Sequence, residues 1–178
     1  MTYWSKFSDQ GLDDALVDQE PPKRRREQPS LKARAVQYLA RRDYSRLELR
    51  DKLLRYVDSE DQLSELEQVL NELESRKYLS DERYARTRAR LRSSRFGNAR
   101  IEFELRRQGL DNETVKQALE PLESEFDRAK ALWLKRFKGK RPEDFKEKTK
   151  QVRFLASRGF SFDVVQQVIA SDCDDDYC

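Results

Sequence analysis

The 178-residue sequence contains no histidine, two cysteines, five glycines and five prolines. Without histidine, no Ser-His-Asp or Cys-His relay can form, no His-containing zinc site can be built, and no side chain titrates near neutrality at its ordinary pKa. So few glycines leave little for a phosphate-cradling loop, and neither G-x-x-x-x-G-K-[ST] nor G-x-G-x-x-G occurs. The longest unbroken apolar run is Ala131-Leu-Trp-Leu134, far below the roughly 20 residues that cross a bilayer. No apolar leader segment opens the chain, so a cytoplasmic protein is expected. Cys173 and Cys178 lie in Ser171-Asp-Cys-Asp-Asp-Asp-Tyr-Cys178. Two thiolates without a second Cys or His pair make a poor structural zinc site, so this segment reads as an acidic tail. No metal and no cofactor is expected.

What the chain has in abundance is charge. Asp, Glu, Lys and Arg make up 40% of it, against about a quarter in average soluble domains. An apolar share of 37% suits several small cores in a row better than one thick globule. Residues 1–30 carry Pro21-Pro-Lys-Arg-Arg-Arg26 and Pro29 and show no lasting apolar period. They read as a tail, its basic cluster either a solvated linker or a phosphate contact.

From Leu31 the pattern is helical. The spacing predicts helices over 31–42, 45–57, 60–76, 81–94, 98–108, 112–120, 124–138, 143–158 and 162–170. Pro29, Pro121 and Pro142 fall at boundaries, where a missing N–H is tolerated. Gly109 and Gly159 sit at left-handed C-cap positions. Ser45-Arg-Leu-Glu48 reads as a capping box, and Ser59, Ser80, Asp111 and Ser161 as N-caps. A repeat of 50 residues relates Leu105 to Leu155, Gly109 to Gly159, Val115 to Val165, Ala118 to Val168 and Leu119 to Ile169. A shift of 52 relates Leu49 to Ile101, Leu53 to Leu105, Leu63 to Val115 and Leu66 to Ala118. The fold expected is all-α: three tandem three-helix repeats over 31–79, 80–121 and 122–170, elongated rather than round, between tails 1–30 and 171–178.

The net charge of +3 conceals segregation. Residues 31–57 balance at +5, 58–75 at −7, 83–107 at +7 and 128–158 at +9. On the helix from 81, Tyr84 and Leu91 are expected on the buried stripe, with Arg86 and Arg90 opposite and Arg88, Arg92 and Arg95 near its edges. Arg100, Arg106 and Arg107 follow on the next helix, and Lys146, Lys150 and Arg153 on a later one. Guanidinium groups in series suit phosphates or carboxylates. The basic blocks are therefore candidate contacts to a polyanion or acidic partner, the rival being a solvated face balanced by the acidic helix 60–76. Phe103 points away from Ile101 and Leu105 and marks either a binding face or a contact with the adjacent repeat. Trp133, Leu134 and Phe137, at helical spacing, read as core. The segment from Asn98 to Leu119 has the outline of a helix-turn-helix, a shape common in all-α proteins. No catalytic constellation stands out, and an enzyme is not expected.

Four motifs carry a family resemblance. Asp43-Tyr-Ser-Arg-Leu-Glu-Leu-Arg-Asp-Lys-Leu53 is similar to the first-repeat signature of the RecX family, bacterial regulators of the RecA recombinase. Lys77-Tyr-Leu-Ser-Asp-Glu-Arg-Tyr-Ala85 resembles a second signature, and Arg92-Ser-Ser-Arg-Phe-Gly-Asn-Ala-Arg-Ile101, continuing to Leu105-Arg-Arg-Gln-Gly109, a third. Arg153-Phe-Leu-Ala-Ser-Arg-Gly-Phe160 is similar to the family's C-terminal motif. The resemblance runs from about residue 31 to 170. Phe103 departs from it, standing where the family usually has a polar residue, and both tails lie outside it. It implies a curved rod of three modules that binds RecA filaments on single-stranded DNA, lodges in the filament groove, and restrains growth, ATP hydrolysis and strand exchange without chemistry of its own. The implied partners are the RecA filament and single-stranded DNA, directly or through the filament, with no membrane and a monomeric chain. On that basis helices 83–107 and 143–158 supply contact surface, and the acidic helix 60–76 is a candidate for basic RecA patches. The alternative is a helical nucleic-acid-binding module that acts on DNA with no direct recombinase contact.

Overall fold

The computed structural model describes residues 29–171. Among these it contains nine α-helices and no strand: α1 (Leu31–Leu39), α2 (Arg46–Leu53), α3 (Glu60–Ser75), α4 (Asp81–Ser93), α5 (Asn98–Arg107), α6 (Asn112–Leu119), α7 (Glu125–Phe137), α8 (Phe145–Ala156) and α9 (Phe162–Ala170). The cysteines and the Lys23–Arg26 cluster lie outside the described residues. Each expected helix is present, several a turn shorter. The second tightens into a 3-10 turn at Leu54–Tyr56, and α1 ends at Leu39 rather than 42.

Capping side chains set most of the starts. Ser45, Ser59, Ser80 and Asp111 each accept from the backbone N–H three residues on, answering donors that the helix itself leaves open. The Ser45–Glu48 box forms only by half, because the Glu48 carboxylate is drawn to Arg42 at 2.5 Å. Ser161 precedes α9 but makes no side-chain cap bond. Gly109 and Gly159 take φ values of +81° and +82°. Behind them Leu110 and Phe160 donate to the carbonyls of Leu105 and Leu155, so the same left-handed turn closes α5 and α8.

The main helix packings fall inside three successive triplets, α1–α3, α4–α6 and α7–α9. Each has its own core. Leu49, Leu53, Leu66, Leu70 and Leu73 anchor the first, Ile101, Leu105, Val115 and Ala118 the second, and Trp133, Leu155, Val165 and Val168 the third. The repeat pairings therefore hold at the core positions, with one correction. Leu63, paired in sequence with buried Val115, is 37% exposed. Helix α3 has 16 residues against 8 in α6, and its first turn runs past the core.

The triplets join through one contact used twice. The first helical N–H of α2, on Arg46, donates to the Asp81 carboxylate at 2.8 Å, and Asp81 is the first residue of α4. The first helical N–H of α5, on Asn98, donates to the Glu125 carboxylate at 2.9 Å, and Glu125 is the first residue of α7. Each time the next triplet supplies an acid to a helix start in the triplet before it. At the first joint the left-handed turn at Gly109 rests against Leu47; at the second the turn at Gly159 rests against Arg100. Arg128 completes the second joint. It is buried, and its guanidinium donates to the carbonyls of Glu123, Ser93 and Phe96 and to Asn98 Oδ1. Burial pulls its pKa down, with the charges of Glu125 and Glu123 opposing.

Gly97 is required there for steric reasons. Its φ of −75° suits any residue, but an added Cβ would lie 2.2 Å from the Gly159 carbonyl oxygen, and its N–H donates to Arg158 O at 3.0 Å. Gly97→Ala is expected to separate the second joint at a cost of about 1–3 kcal/mol. Thermal denaturation followed by circular dichroism checks this, and an unchanged midpoint would contradict the close approach.

Candidate partner-binding surface

Helix α4 presents its apolar side through Tyr84, Ala85 and Ala89. Leu91 does not join them, being 68% exposed. The stripe centres on Ala85 and Arg92, and Leu91 lies about 100° from that centre. Small alanines let α4 approach α5 and α6 closely, and nothing on that side reaches Leu91. The repeat explains the phase: Ala35, Ala85 and Ala129, each four positions after the first residue of its triplet's first helix, are all fully buried.

Arg86 and Arg90 face solvent as expected, and among the described residues neither has an ion pair. Arg88, Arg92 and Arg100 instead converge on Glu104 of α5. Arg92 binds it through two nitrogens at 2.8 Å, Arg100 lies at 3.5 Å and Arg88 at 3.8 Å. Arg88 and Arg92 thereby clamp α4 to α5, Arg100 pairs with Glu104 within α5, and all three are only partly available to a partner. Arg92 and Arg100 also stack on Phe96. Arg106 pairs loosely with Glu102 at 3.5 Å. Arg95 is fully outside the stripe rather than at its edge. Arg107 extends over the Phe103 ring at 5.9 Å. Phe103 is 57% exposed, so the adjacent repeat does not cover it. A joint made at helix ends leaves the outer side of α5 uncovered.

The acidic helix is largely engaged at home. Glu67 accepts from Arg46 and Arg50, Glu74 pairs with Arg46, and Glu72 pairs with Lys32 and Arg76. The hydrogen bond from Arg50, and the charges of Arg50 and Arg46, hold Glu67 below the usual carboxylate range against partial burial. Of α3's acids, Glu60, Asp61 and Glu65 remain exposed, with no ion pair among the described residues.

In the third triplet Lys146, Lys150 and Arg153 share one exposed side of α8. The structure adds residues that helix-by-helix reading passes over. Lys138 and Lys140 lie in the α7–α8 loop, and with Arg136, Arg141 and Lys150 they line a cleft of about 380 Å³. Both lysines belong to the +9 block over 128–158, from which the helix-by-helix reading singles out only Lys146, Lys150 and Arg153. No cluster of acid or thiol side chains able to hold a metal occurs among the described residues, and no described helix is long and apolar enough to cross a membrane.

The class so defined is an all-α repeat protein of head-to-tail three-helix units with basic, solvent-facing helix surfaces. Comparison with known proteins agrees. A model of the second three-helix domain of RecX matches residues 80–119, and one of the third matches 123–169. The regulatory protein RecX of Chromobacterium violaceum is 43% identical over 148 residues, 83% of this chain and 94% of that protein. The RecX regulatory protein of Ralstonia pickettii is 45% identical over 142 residues, 79% and 87% of the two chains. The crystal structure of RecX from Lactobacillus salivarius shares the fold at 23% identity, with a TM-score of 0.64 over 78% of this chain and 92% of that one. The chain belongs to the RecX family.

The Glu104 clamp carries a pH signature. Burial raises its pKa, but the hydrogen bonds and charge of Arg92, with Arg88 and Arg100, outweigh it and hold the carboxyl below its ordinary value. A depressed carboxylate stabilises the fold above its unfolded pKa of about 4.3, and that contribution is lost as pH falls through the folded value. Glu104→Gln should cost about 1–3 kcal/mol at pH 7. The gap to the parent should narrow toward pH 3, as read from denaturant midpoints at the two pH values.

Proposed function

We propose that this chain modulates the RecA recombinase, mainly as an inhibitor. It binds the RecA filament on single-stranded DNA in the filament groove and restrains filament growth, ATP hydrolysis and strand exchange. It works in the cytoplasm by binding alone, as a monomer without a cofactor. Membership of the RecX family carries this reading. The physical arrangement supports it: three successive helix triplets, joined each time by an acid at a helix start, expose basic side chains on more than one repeat.

Within the surface, Arg86 and Arg90 are the contacts of choice on α4, because both face solvent and neither is held in an ion pair among the described residues. Arg95 and Arg107 extend the same set, and Lys146, Lys150 and Arg153 continue it on α8. Arg88, Arg92, Arg100 and Arg106 serve first as internal braces. For a basic patch on the partner, the exposed acids Glu60, Asp61 and Glu65 at the start of α3 are the remaining complement.

The test adds the protein to RecA, single-stranded DNA and ATP, then follows ATP hydrolysis. Substoichiometric protein should slow it. Arg86→Glu with Arg90→Glu should weaken the effect about tenfold while leaving the circular dichroism spectrum unchanged, since both side chains face solvent. No change in hydrolysis at substoichiometric ratios would overturn the reading.

A further inference from the structure

Helix α9 ends with a charge that its own sequence does not balance. Its last turn carries no basic residue, whereas α4, α5, α7 and α8 each place Lys or Arg in theirs. The segment that follows is acidic: Asp172, Asp174, Asp175 and Asp176 all come within six residues of Ala170. A helix C-terminus concentrates the partial charge of its open carbonyls, so carboxylates beside it are repelled unless cations from elsewhere answer them. The fold brings cations to that end. Helices α8 and α9 pack together, and Arg141, Pro142 and Lys148 face Gln166, Ile169 and Ala170 across a cleft of about 260 Å³. Among the described residues no acid lines it. Arg141 and Lys148 are both exposed. The nearby acids are placed elsewhere: Glu143 and Glu147 line the larger cleft, and Asp144 accepts from the Glu147 N–H at 2.6 Å.

The chain leaves α9 at this cleft. Ser171 closes the helix in extended geometry, with φ −64° and ψ 136°. Its N–H donates to Gln167 O at 2.8 Å and its hydroxyl to Val168 O at 2.8 Å. The exit is therefore held next to Ala170, which forms part of the cleft wall. An extended residue advances at most about 3.6 Å, so the four aspartates stay within about 22 Å of Ala170 along the chain. So short a tether gives them a local concentration on the order of millimolar at the two cations. The cleft is smaller than a small-molecule pocket of roughly 300–1,000 Å³ and suits single side chains. A guanidinium fork and an ammonium at its edge are both partners for carboxylates.

We propose that the acidic segment Asp172–Asp176 of this chain docks back into the cleft, its carboxylates against Arg141 and Lys148, and shields both cations from outside anions. It is a built-in competitor: an acidic partner that approaches this end of the third triplet has to displace it. The contact depends on the function proposed above only for what would displace it, and its test uses neither recombinase nor nucleic acid, so the two can fail separately. The full chain is treated with a carbodiimide, which joins a carboxylate to an amine it touches, then digested with trypsin and read by mass spectrometry. Lys148 should be joined to an acid beyond Ser171 at least about fivefold more than exposed Lys116 of α6 is. Acylation of exposed lysines by an anionic reagent, N-hydroxysulfosuccinimidyl acetate, then measures the shielding. Asp172→Asn, Asp174→Asn, Asp175→Asn and Asp176→Asn combined should speed the reaction of Lys148 about fivefold and leave Lys116 within about twofold. Changing the same four positions to Glu should keep the parent rate. A crosslink at Lys148 no stronger than at Lys116, a crosslink found only between two chains, an unchanged Lys148 rate in the Asn variant, or an equal rise at Lys116 would each overturn the proposal.

Discussion

A helix begins with donors it cannot satisfy, and in this protein the next repeat satisfies one of them. Asp81 does this for α2 and Glu125 for α5. The consequence is sharpest at α5, whose N-cap is Gly97 and has no side chain to offer. There the following triplet finishes the α4–α5 turn at both of its ends: Glu125 takes a donor at the start of α5, and Arg128 covers carbonyls at the end of α4. A repeat stabilised in this way is incomplete alone, and stacking becomes part of local helix formation rather than a later docking step. Asp81 feels the cost of that placement: burial raises its pKa, partly offset by the Arg46 N–H it accepts.

The charge pattern follows from the same economy of positions. Acids on α3 and at Glu104 answer the arginines that lie nearest the core, and those pairs brace helix against helix. What remains for a partner is decided by helical phase. Arg86 and Arg90 lie about 100° and 140° round α4 from Ala85, on its exposed side, and neither pairs with Glu104. Block sums of +7 or −7 therefore overstate the charge that a partner meets, and the few unanswered side chains matter more than the totals.

Much of this was legible in the chain. Serines at helix starts, glycines after helix ends and a 50-residue period sufficed to draw nine helices and their grouping, because each is a local rule or a direct repetition. The family resemblance, carried by four ordered motifs, agreed with the comparisons. The phase of α4 was misread at Leu91 because a seven-residue step from Tyr84 looked sufficient. Aligning first helices would have corrected it, since Leu91 falls on Lys135 when Asp81 is matched to Glu125. The same alignment places Arg128 on Tyr84, a core position, and an arginine there signals buried acceptors. The Glu104 clamp was hidden for another reason: which of many arginines meets one acid depends on interhelical geometry that no single helix records.

The two joints differ in what crosses them. At the second, a main-chain hydrogen bond runs from Gly97 to Arg158 between backbones with no side chain between them. At the equivalent place in the first, the Ser45 hydroxyl reaches the Gln108 side chain at a long 3.4 Å, and Arg83 holds Asp43 through side-chain atoms. Side chains can rotate while keeping contact, whereas paired main chains cannot. The first joint is thus held through side-chain atoms and the Arg46 N–H, and the second has in addition a direct main-chain hydrogen bond. A side chain larger than hydrogen at position 97 would therefore part the second joint, whereas the first joint already accommodates the serine that stands at the equivalent position 45.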